Sequence, residues 1–381
     1  MVKIESGMGR KICSNCVMDV TVGDIRFDDR GVCNYCHEAQ ARLASEIYHG
    51  EQGRLAIDRL VVSIKAASKG KKYDCIIGLS GGVDSTYLAY LVKRKLNLRP
   101  LAVHFDNGWN SELSVSNIER IVKILDIDYY NYVVDWDTFK NLQLAFLKAS
   151  VANAEIPTDH AITALLMQQA AKHNVKYILL GGNVATESIM PNAWMYDNRD
   201  WKLIKAINKR FGQTKLKGYP HFSLTKMFYY VFIKRIRFVA LLNYVSYIKE
   251  DAKKVLEQEL GWRDYGGKHF ESVYTRFFQA YILPRKFNID KRRAHLSSLI
   301  NANQMTRKEA LKALEESPEN YKEVTQDKKF LVKKFRLSEE EFEQIMSAPK
   351  RLCEDFPSHS WLFERSPQLL AFIKKLVMLR V

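Results

Sequence analysis

A short loop of glycine and serine residues is the clearest sign of chemistry in this chain. Ser80-Gly81-Gly82-Val83-Asp84-Ser85 joins an apolar run, 73–79, to a helical pattern that begins at Thr86. Paired glycines let a backbone approach an anion closely, and the first amides of a helix lie unpaired at its positive end. The two serine hydroxyls can add donors. The loop is therefore predicted to bind phosphate, although an ordinary capped strand-to-helix turn has the same residue types.

Four of the six cysteines form a second candidate site near the N-terminus. They lie in two C-x-x-C pairs, Cys13 with Cys16 and Cys33 with Cys36. Two such knuckles can place four thiolates tetrahedrally around one zinc ion, a closed site with no open position for catalysis. Disulfides are disfavoured in a chain without a secretion signal. An iron–sulfur cluster uses the same ligands and stays an alternative.

Strand patterns that alternate with helical patterns must position the phosphate loop, and they predict a parallel α/β sheet covered on both faces. After the first strand, further strands are expected at 100–106, 129–135 and 177–180. In open α/β sheets the ligand crevice lies beyond the carboxyl ends of the strands. Asp106, Asn183 and Glu187 follow such ends, so we expect them on the same rim as the loop. Each of them is also a residue type that turns and caps use.

One more loop is expected on that rim. Residues 154–160 precede a helical pattern, and Pro157 suits the first turn of that helix. Glu155 would then face the crevice as a general base, and Asp159 would contact the metal or the substrate. The alternative is that Asp159 caps the helix and Glu155 is a solvated loop acid.

The chain changes character from Gly261 onward, where aromatic and glycine residues lead into a strongly basic segment. Such a density of cations beside aromatics suits the phosphates and the stacked base of a nucleotide. It also suits RNA, or it is a solvated basic face. The candidate substrate-binding residues are Lys268, Arg276, Lys291, Arg292 and His295.

The composition is that of a globular protein that attracts polyanions. The chain has 381 residues and a formal net charge of +16, which favours nucleic acid, nucleotide sugars or an anionic membrane face without choosing among them. Residues 1–11 lack the apolar stretch of a secretion signal, so we expect a cytoplasmic protein. The stretch 226–248 is predicted to be an amphipathic helix pair that packs on the core, or docks on a membrane or partner through its basic face.

The S-G-G-x-D-S string is neither a Walker A loop nor a dinucleotide loop. It resembles the pyrophosphate loop (PP-loop) of the N-type ATP pyrophosphatases, which cleave ATP to AMP and pyrophosphate. That resemblance implies a doubly wound parallel sheet of the same type. The cysteine spacing adds an N-terminal zinc ribbon, and the helical pattern from Met305 onward adds a mainly helical C-terminal region. It also implies a magnesium ion held by Asp84 and Glu187, since Mg²⁺ prefers carboxylate and phosphate oxygens, with Asp159 as a further candidate.

The whole chain resembles the N-acetyl sugar amidotransferases of bacterial surface polysaccharide (O-antigen) pathways. The resemblance rests on Cys13 to Cys36, on Ser80 to Ser85, and on 268–295 with its Thr275-Arg276-Phe277-Phe278 and Asp290-Lys291-Arg292 strings. It implies that ATP activates the acetamido group of a UDP-linked diacetamido sugar, or of its acid, and that ammonia then converts this group into an acetamidino group. It also implies ATP, Mg²⁺ and Zn²⁺ as cofactors, and separate glutaminase and cyclase-like subunits as partners.

The patterns along the chain predict a knuckle domain at 1–50, an ATP pyrophosphatase domain at 51–215, a helical insertion at 216–260 and a basic helical region at 261–381. The alternative function is a tRNA-modifying PP-loop enzyme, a thiolase or a lysidine-type ligase, that uses the same adenylation on a base. Cysteines for sulfur transfer are missing beside the loop, which counts against a thiolase and makes nucleic acid the less favoured partner. A non-enzymatic scaffold would need a degenerate loop, and this one is intact.

Overall fold

A computed structural model describes residues 11–267, 270–318, 322–359 and 378. Lys268 and residues 1–10, on which part of the sequence predictions rest, lie outside this range. A parallel sheet of five strands runs through the centre, in the order β3-β2-β1-β4-β5. The strands are β1 (Cys75–Gly78), β2 (Pro100–Asp106), β3 (Asp128–Val133), β4 (Tyr177–Leu180) and β5 (Arg237–Ala240). The predicted parallel α/β fold is confirmed.

The helices carry the chain from each strand to the next. They are α1 (Asn34–Glu46), α2 (Gly50–Ala67), α3 (Val83–Tyr90), α4 (Glu112–Leu125), α5 (Trp136–Ala149), α6 (Ile156–Lys172), α7 (Val184–Glu187), α8 (Trp201–Phe211), α9 (Leu224–Phe228) and α10 (Lys249–Leu260). The C-terminal region adds α11 (Val273–Phe277), α12 (Lys291–Asn301), α13 (Arg307–Ala313), α14 (Lys322–Phe335) and α15 (Glu339–Ser347). Three helices continue as π-helical turns: α3 through Leu91–Lys95, α9 through Tyr229–Ile233 and α11 through Phe278–Phe287.

Both faces of the sheet are buried at its central strand β1, whereas the edge strand β3 is exposed or only partly buried. Ile76 belongs to the core on one face, whereas Cys75 and Ile77 belong to the core on the other. Successive side chains of a strand point to opposite faces, so an apolar run such as β1 needs helices on both sides. Cys75 is accordingly a fully buried core residue.

Two sequence predictions need correction. The third strand begins at Asp128 and ends at Val133, because Asp135 instead caps α5 by accepting a hydrogen bond from the Thr138 amide at 2.8 Å. The helix pair predicted at 226–248 is wrong in its second half, where β5 pairs with β4 in parallel register. Four residues are too few to show a strand period, and their pairing with β4 decides their conformation. The domain divisions stay predictions, although β5 places part of 216–260 inside the sheet.

None of the helices in the described part of the chain is both long enough and apolar enough to cross a membrane.

Candidate active site

The phosphate loop, residues 80–85, closes through its own side chains between β1 and α3. Gly81 has a left-handed backbone, with φ of +80°. The Ser80 hydroxyl accepts a hydrogen bond from the Gly82 amide at 3.3 Å, and the Ser85 hydroxyl accepts one from the Ser80 amide at 3.2 Å. These bonds hold a tight turn in front of the positive end of α3, the arrangement that binds phosphate.

Glycine lets the loop pack against its neighbours more closely than any other residue would. A β-carbon on Gly81 would lie 2.8 Å from the Ser114 carbonyl oxygen. A β-carbon on Gly181, which follows β4, would lie 2.8 Å from the Asp84 carbonyl oxygen. These approaches are too short for a side chain, so both positions require glycine. The first approach packs the loop against α4, and the second packs the carboxyl end of β4 against the first turn of α3.

Two aromatic residues from the segment after α10 cover the loop. The Trp262 indole donates a hydrogen bond to the Gly81 carbonyl oxygen at 2.9 Å, and the Tyr265 hydroxyl accepts one from the Val83 amide at 3.2 Å. Burial, and then the neighbouring Glu271 carboxylate, raise the pKa of Tyr265 well above its ordinary value, so its hydroxyl keeps its proton. A phosphate oxygen bound at the Val83 amide would take the place of this hydroxyl.

Two of the predicted catalytic carboxylates line one cavity with the loop. This loop cavity, of about 460 Å³, is lined by residues 80 and 82–85, by Gly181 and Gly182, and by Glu187 at the end of α7. A β-carbon on Gly182 would lie 3.3 Å from a Glu187 carboxylate oxygen. The Asp84 carboxylate accepts a hydrogen bond from the Tyr247 hydroxyl. Burial, and then Asp84, raise the pKa of Tyr247, so it remains a donor.

The opposite wall of the loop cavity comes from the C-terminal region. Arg292 and His295 lie on α12 and line it, together with Glu271 before α11. Both α12 residues also line a neighbouring cavity of about 400 Å³, which Arg276 and Lys291 complete and which we name the cationic cavity. The structure therefore brings together four of the five predicted substrate residues, and the fifth, Lys268, is not described.

The arginines and the lysine of the cationic cavity are held by acidic partners. Arg276 donates two hydrogen bonds to Asp327, at 2.7 and 2.8 Å, and Arg292 is paired with Asp290 at 2.8 Å. Lys291 is paired with Glu155 at 3.1 Å. These pairs fix the positions of the cationic groups, so the cavity wall is organised before any ligand binds.

Four other predicted site residues lie away from the loop cavity. Asp106 accepts hydrogen bonds from the Gly108 amide at 2.9 Å and from the Asn110 side chain at 3.1 Å, as a turn residue does. Asn183 caps α7 through the Thr186 amide at 2.9 Å. Glu155 and Asp159 line a third cavity of about 830 Å³, the acidic cavity, and not the loop cavity.

The loop before α6 therefore differs from its predicted geometry. The helix begins at Ile156, so Asp159 lies inside its first turn rather than at its cap. Glu155, at the cap position, accepts hydrogen bonds from Lys291 and from Gln279, both at 3.1 Å. Lys291 and Gln279 both line the cationic cavity, so these two side chains connect Glu155 to the wall of that cavity.

The four N-terminal cysteines form one buried cluster. Their ligand atoms all lie within 4.8 Å of one another. The sulfurs of Cys13 and Cys36 are 3.9 Å apart, and those of Cys16 and Cys33 are 3.7 Å apart. A tetrahedron with zinc–sulfur bonds of ~2.3 Å has edges of ~3.8 Å, so the cluster fits a single zinc ion. Cysteine binds zinc as a thiolate, so binding of a zinc ion would displace protons from this cluster.

The cysteine cluster is joined to the active site through α12. Asn301 donates a hydrogen bond to the Cys36 sulfur at 3.4 Å, and Ser297 accepts one from the Val17 amide at 3.2 Å. The same helix presents Arg292 and His295 to the loop cavity. The knuckle therefore supports the helix that forms one wall of the site.

Sequence reasoning missed Tyr247 and Tyr265 as parts of the site. Tyr265 lies in the aromatic and glycine-rich segment 262–267, whose composition was the available signal. Tyr247 carries no local signal, because it reaches Asp84 only through the folding of the segment between β5 and α10.

Two different family models match the two parts of the chain that line the loop cavity. Residues 57–210 match the NAD synthase family model, and residues 271–369 match the family model of the C-terminal domain of WbpG-like LPS biosynthesis proteins. An uncharacterized protein of Methanocaldococcus jannaschii is 27% identical over 117 residues, which are 30% of this chain and 40% of that protein. The chain thus spans less than half the length of this relative.

Three solved structures are similar at low identity. NMN synthetase from Francisella tularensis is 18% identical, with a TM-score of 0.27 over 36% of this chain and 57% of that one. NH3-dependent NAD synthetase from Campylobacter jejuni is 18% identical, with a TM-score of 0.28 over 55% and 85%. The U34-tRNA thiolase NcsA from Methanococcus maripaludis, with its [4Fe-4S] cluster, is 13% identical, with a TM-score of 0.32 over 85% and 89%.

The two family matches together confirm the predicted resemblance. Residues 57–210 are similar to NAD synthases, and residues 271–369 are similar to the C-terminal domain of WbpG-like LPS biosynthesis proteins.

Proposed function

We propose that this protein uses ATP to convert the acetamido group of a nucleotide-linked N-acetyl sugar into an acetamidino group during assembly of a bacterial surface polysaccharide. One observation carries the proposal: both family matches contribute to a single cavity. Ser80–Ser85 and Glu187 come from the ATP pyrophosphatase part, and Arg292 and His295 come from the WbpG-like part. An ATP phosphate on the loop would therefore face residues of the LPS biosynthesis domain.

The first step of the proposed reaction activates a poor electrophile. The acetamido carbonyl oxygen attacks the α-phosphorus of ATP, the bond to the β-phosphate oxygen breaks, and pyrophosphate leaves. The loop amides and the end of α3 stabilise the departing negative charge. Asp84 and Glu187 line the same cavity and offer the carboxylate oxygens that Mg²⁺ prefers. A bound Mg²⁺ would neutralise charge on the phosphates.

The second step replaces oxygen by nitrogen. Ammonia adds to the activated carbon, a base removes a proton, and the carbon–oxygen bond breaks as AMP leaves with the former carbonyl oxygen. Glu155 remains our candidate base, because its two hydrogen-bond partners, Lys291 and Gln279, both line the cationic cavity. Ammonia is mostly ammonium at neutral pH, so we also propose separate glutaminase and cyclase-like subunits that deliver it.

The cationic cavity is the proposed sugar-nucleotide site. Its wall carries Lys291, Arg292 and His295, and Arg292 and His295 extend into the loop cavity. Cations fixed by acidic partners suit the diphosphate of a nucleotide sugar, because their geometry is set before binding. The shared wall would hold the sugar beside the α-phosphate of ATP.

The deciding experiment is pyrophosphate release by the purified protein with Mg-ATP and ammonium. A UDP-diacetamido sugar and bulk tRNA are compared as acceptors, and mass spectrometry of the acceptor follows. Release with the sugar, together with replacement of one oxygen by NH, supports the proposal. Pyrophosphate release with tRNA alone would contradict the proposal and support the alternative function, a tRNA-modifying enzyme.

For the cysteine cluster we propose a structural zinc ion held by Cys13, Cys16, Cys33 and Cys36. Elemental analysis of the purified protein should find one zinc per chain, and Cys16→Ser should remove it. Iron with sulfide and a visible absorption band would instead identify an iron–sulfur cluster.

A further inference from the structure

The helical segment 224–233, which comprises α9 and its π-helical turn, presents an apolar face to solvent. Phe228 is 56% exposed, Phe232 is 39% exposed and Ile233 is 64% exposed. The two phenylalanine rings stack with their centroids 4.5 Å apart. The opposite side of the helix is buried through Met227, Tyr230 and Val231. A surface helix normally turns polar side chains outward, so this outer face requires an explanation.

The stretch of sequence that contains this α9 face carries charge of one sign. Residues 201–249 contain eleven lysines and arginines but no aspartate or glutamate. Lys226 and Arg235 are exposed at the two ends of the face. The amines of Lys226 and Lys234 lie 5.8 and 5.9 Å from the ring centroid of Tyr229, so cations directly border the apolar side chains.

The basic character continues onto α8. Lys202, Lys205 and Lys209 are exposed on this helix. Lys202 and Lys205 line one surface cavity together with 223–225, at the start of α9. The exposed cations of α8 therefore adjoin the helix that carries the apolar face.

We propose that the α9 face docks this protein onto an anionic membrane surface. Phe228, Phe232 and Ile233 would enter the boundary between headgroups and acyl chains, while the surrounding cations bind anionic headgroups. A second copy of this chain is a poorer occupant, because two such basic faces repel each other. Protein interfaces also use roughly 20–30 residues a side, and this apolar face is far smaller. The proposal does not depend on which sugar the enzyme modifies.

The test is co-sedimentation of the full-length protein with phosphatidylglycerol vesicles and with phosphatidylcholine vesicles. We expect binding to the anionic vesicles alone, and its loss when salt is raised from about 0.1 M to about 1 M. Phe228→Ser with Phe232→Ser should weaken binding about tenfold or more. Lys226→Gln should weaken it about fivefold.

A matched control uses exposed apolar residues elsewhere. Val62 and Leu55 on α2 are 68% and 46% exposed, so Val62→Ser with Leu55→Ser should bind vesicles like the wild type. Thermal unfolding at the wild-type temperature verifies that the α9 variant is folded. Three results would overturn the proposal: no binding of the wild type to anionic vesicles, equal weakening in the control pair, or an α9 variant that binds normally. A wild-type dimer that dissociates in the α9 variant during sedimentation velocity would identify a second copy as the occupant and also overturn it.

Discussion

The pair formed by Arg276 and Asp327 permits a sharp test, because the sequence and the structure suggest different roles for the arginine. The sequence predicts that Arg276 binds substrate, and it does line the cationic cavity. Its guanidinium, however, donates two hydrogen bonds to Asp327, and the two side chains are only 15% and 6% exposed. This geometry joins α11 to α14, so we expect a structural role.

The expected cost follows from burial. Arg276→Met leaves a nearly buried carboxylate without its bidentate partner, which should lower the free energy of unfolding by about 3–5 kcal/mol. Asp327→Asn should cost less, about 1–3 kcal/mol, because the amide still accepts one bond and the arginine can be hydrated from the cavity. Arg285→Met, in the π-helical continuation of α11, is the control, because Arg285 is exposed and should contribute less than about 1 kcal/mol.

Urea unfolding of the three variants measures these differences, and steady-state kinetics with the nucleotide sugar measures KM. A structural arginine gives a lower unfolding midpoint and, under folding conditions, a nearly unchanged KM. Unchanged stability in Arg276→Met with a KM raised about tenfold or more would refute the structural role and restore Arg276 as a substrate ligand.

Three further predictions concern the loop, the acids and a buried histidine. Gly81→Ala should abolish pyrophosphate release and cost about 1–3 kcal/mol of stability, whereas Gly70→Ala, which has a similar positive φ but open space around it, should retain activity. Asp84→Ala should abolish pyrophosphate release while the fold and the metal content stay intact. Asp106→Ala, outside the loop cavity, should leave the KM for ATP unchanged. Normal release in the Asp84 variant with a raised KM in the Asp106 variant would contradict the placing of Asp84, and not Asp106, at the ATP site. Burial lowers the pKa of His160 to about 4 in the folded protein. Between pH 6.5 and 4 the unfolded chain therefore binds more protons than the folded protein does. The free energy of unfolding should fall by about 3 kcal/mol as the pH drops through that range. His160→Gln should flatten this dependence in unfolding measured at each pH, and an equally steep fall in that variant would assign the effect to other groups.

Most of the fold was predictable because its signals are local. The run around Ile76 is apolar on both sides, which predicts a strand buried between two helical layers. The strand at 177–180 was predicted with its observed bounds. β5 could not be predicted, because Phe238 and Val239 alone show no period and only pairing with β4 makes the segment a strand.

The structure keeps together the predicted site residues that lie within one loop, and it separates several that come from different segments. The residues from Ser80 to Ser85 form the predicted turn between a strand and a helix. The sequence did not indicate that the Gly81 carbonyl oxygen accepts a hydrogen bond from the Trp262 indole. Asp106 and Asn183 have the right position in the chain, but their oxygens bind nearby amides. Sequence position at a strand end does not reveal which way a side chain turns.

The sequence by itself determined the phosphate loop, the clustering of four cysteines and the parallel sheet, since each depends on residue types at short and regular spacing. Only the tertiary structure decided that α12 forms a wall of the loop cavity, that Glu155 lies behind Lys291, and that Tyr247 reaches Asp84. These contacts join residues more than a hundred positions apart. Their geometry follows from how the helices pack on the sheet, and no local spacing encodes that packing.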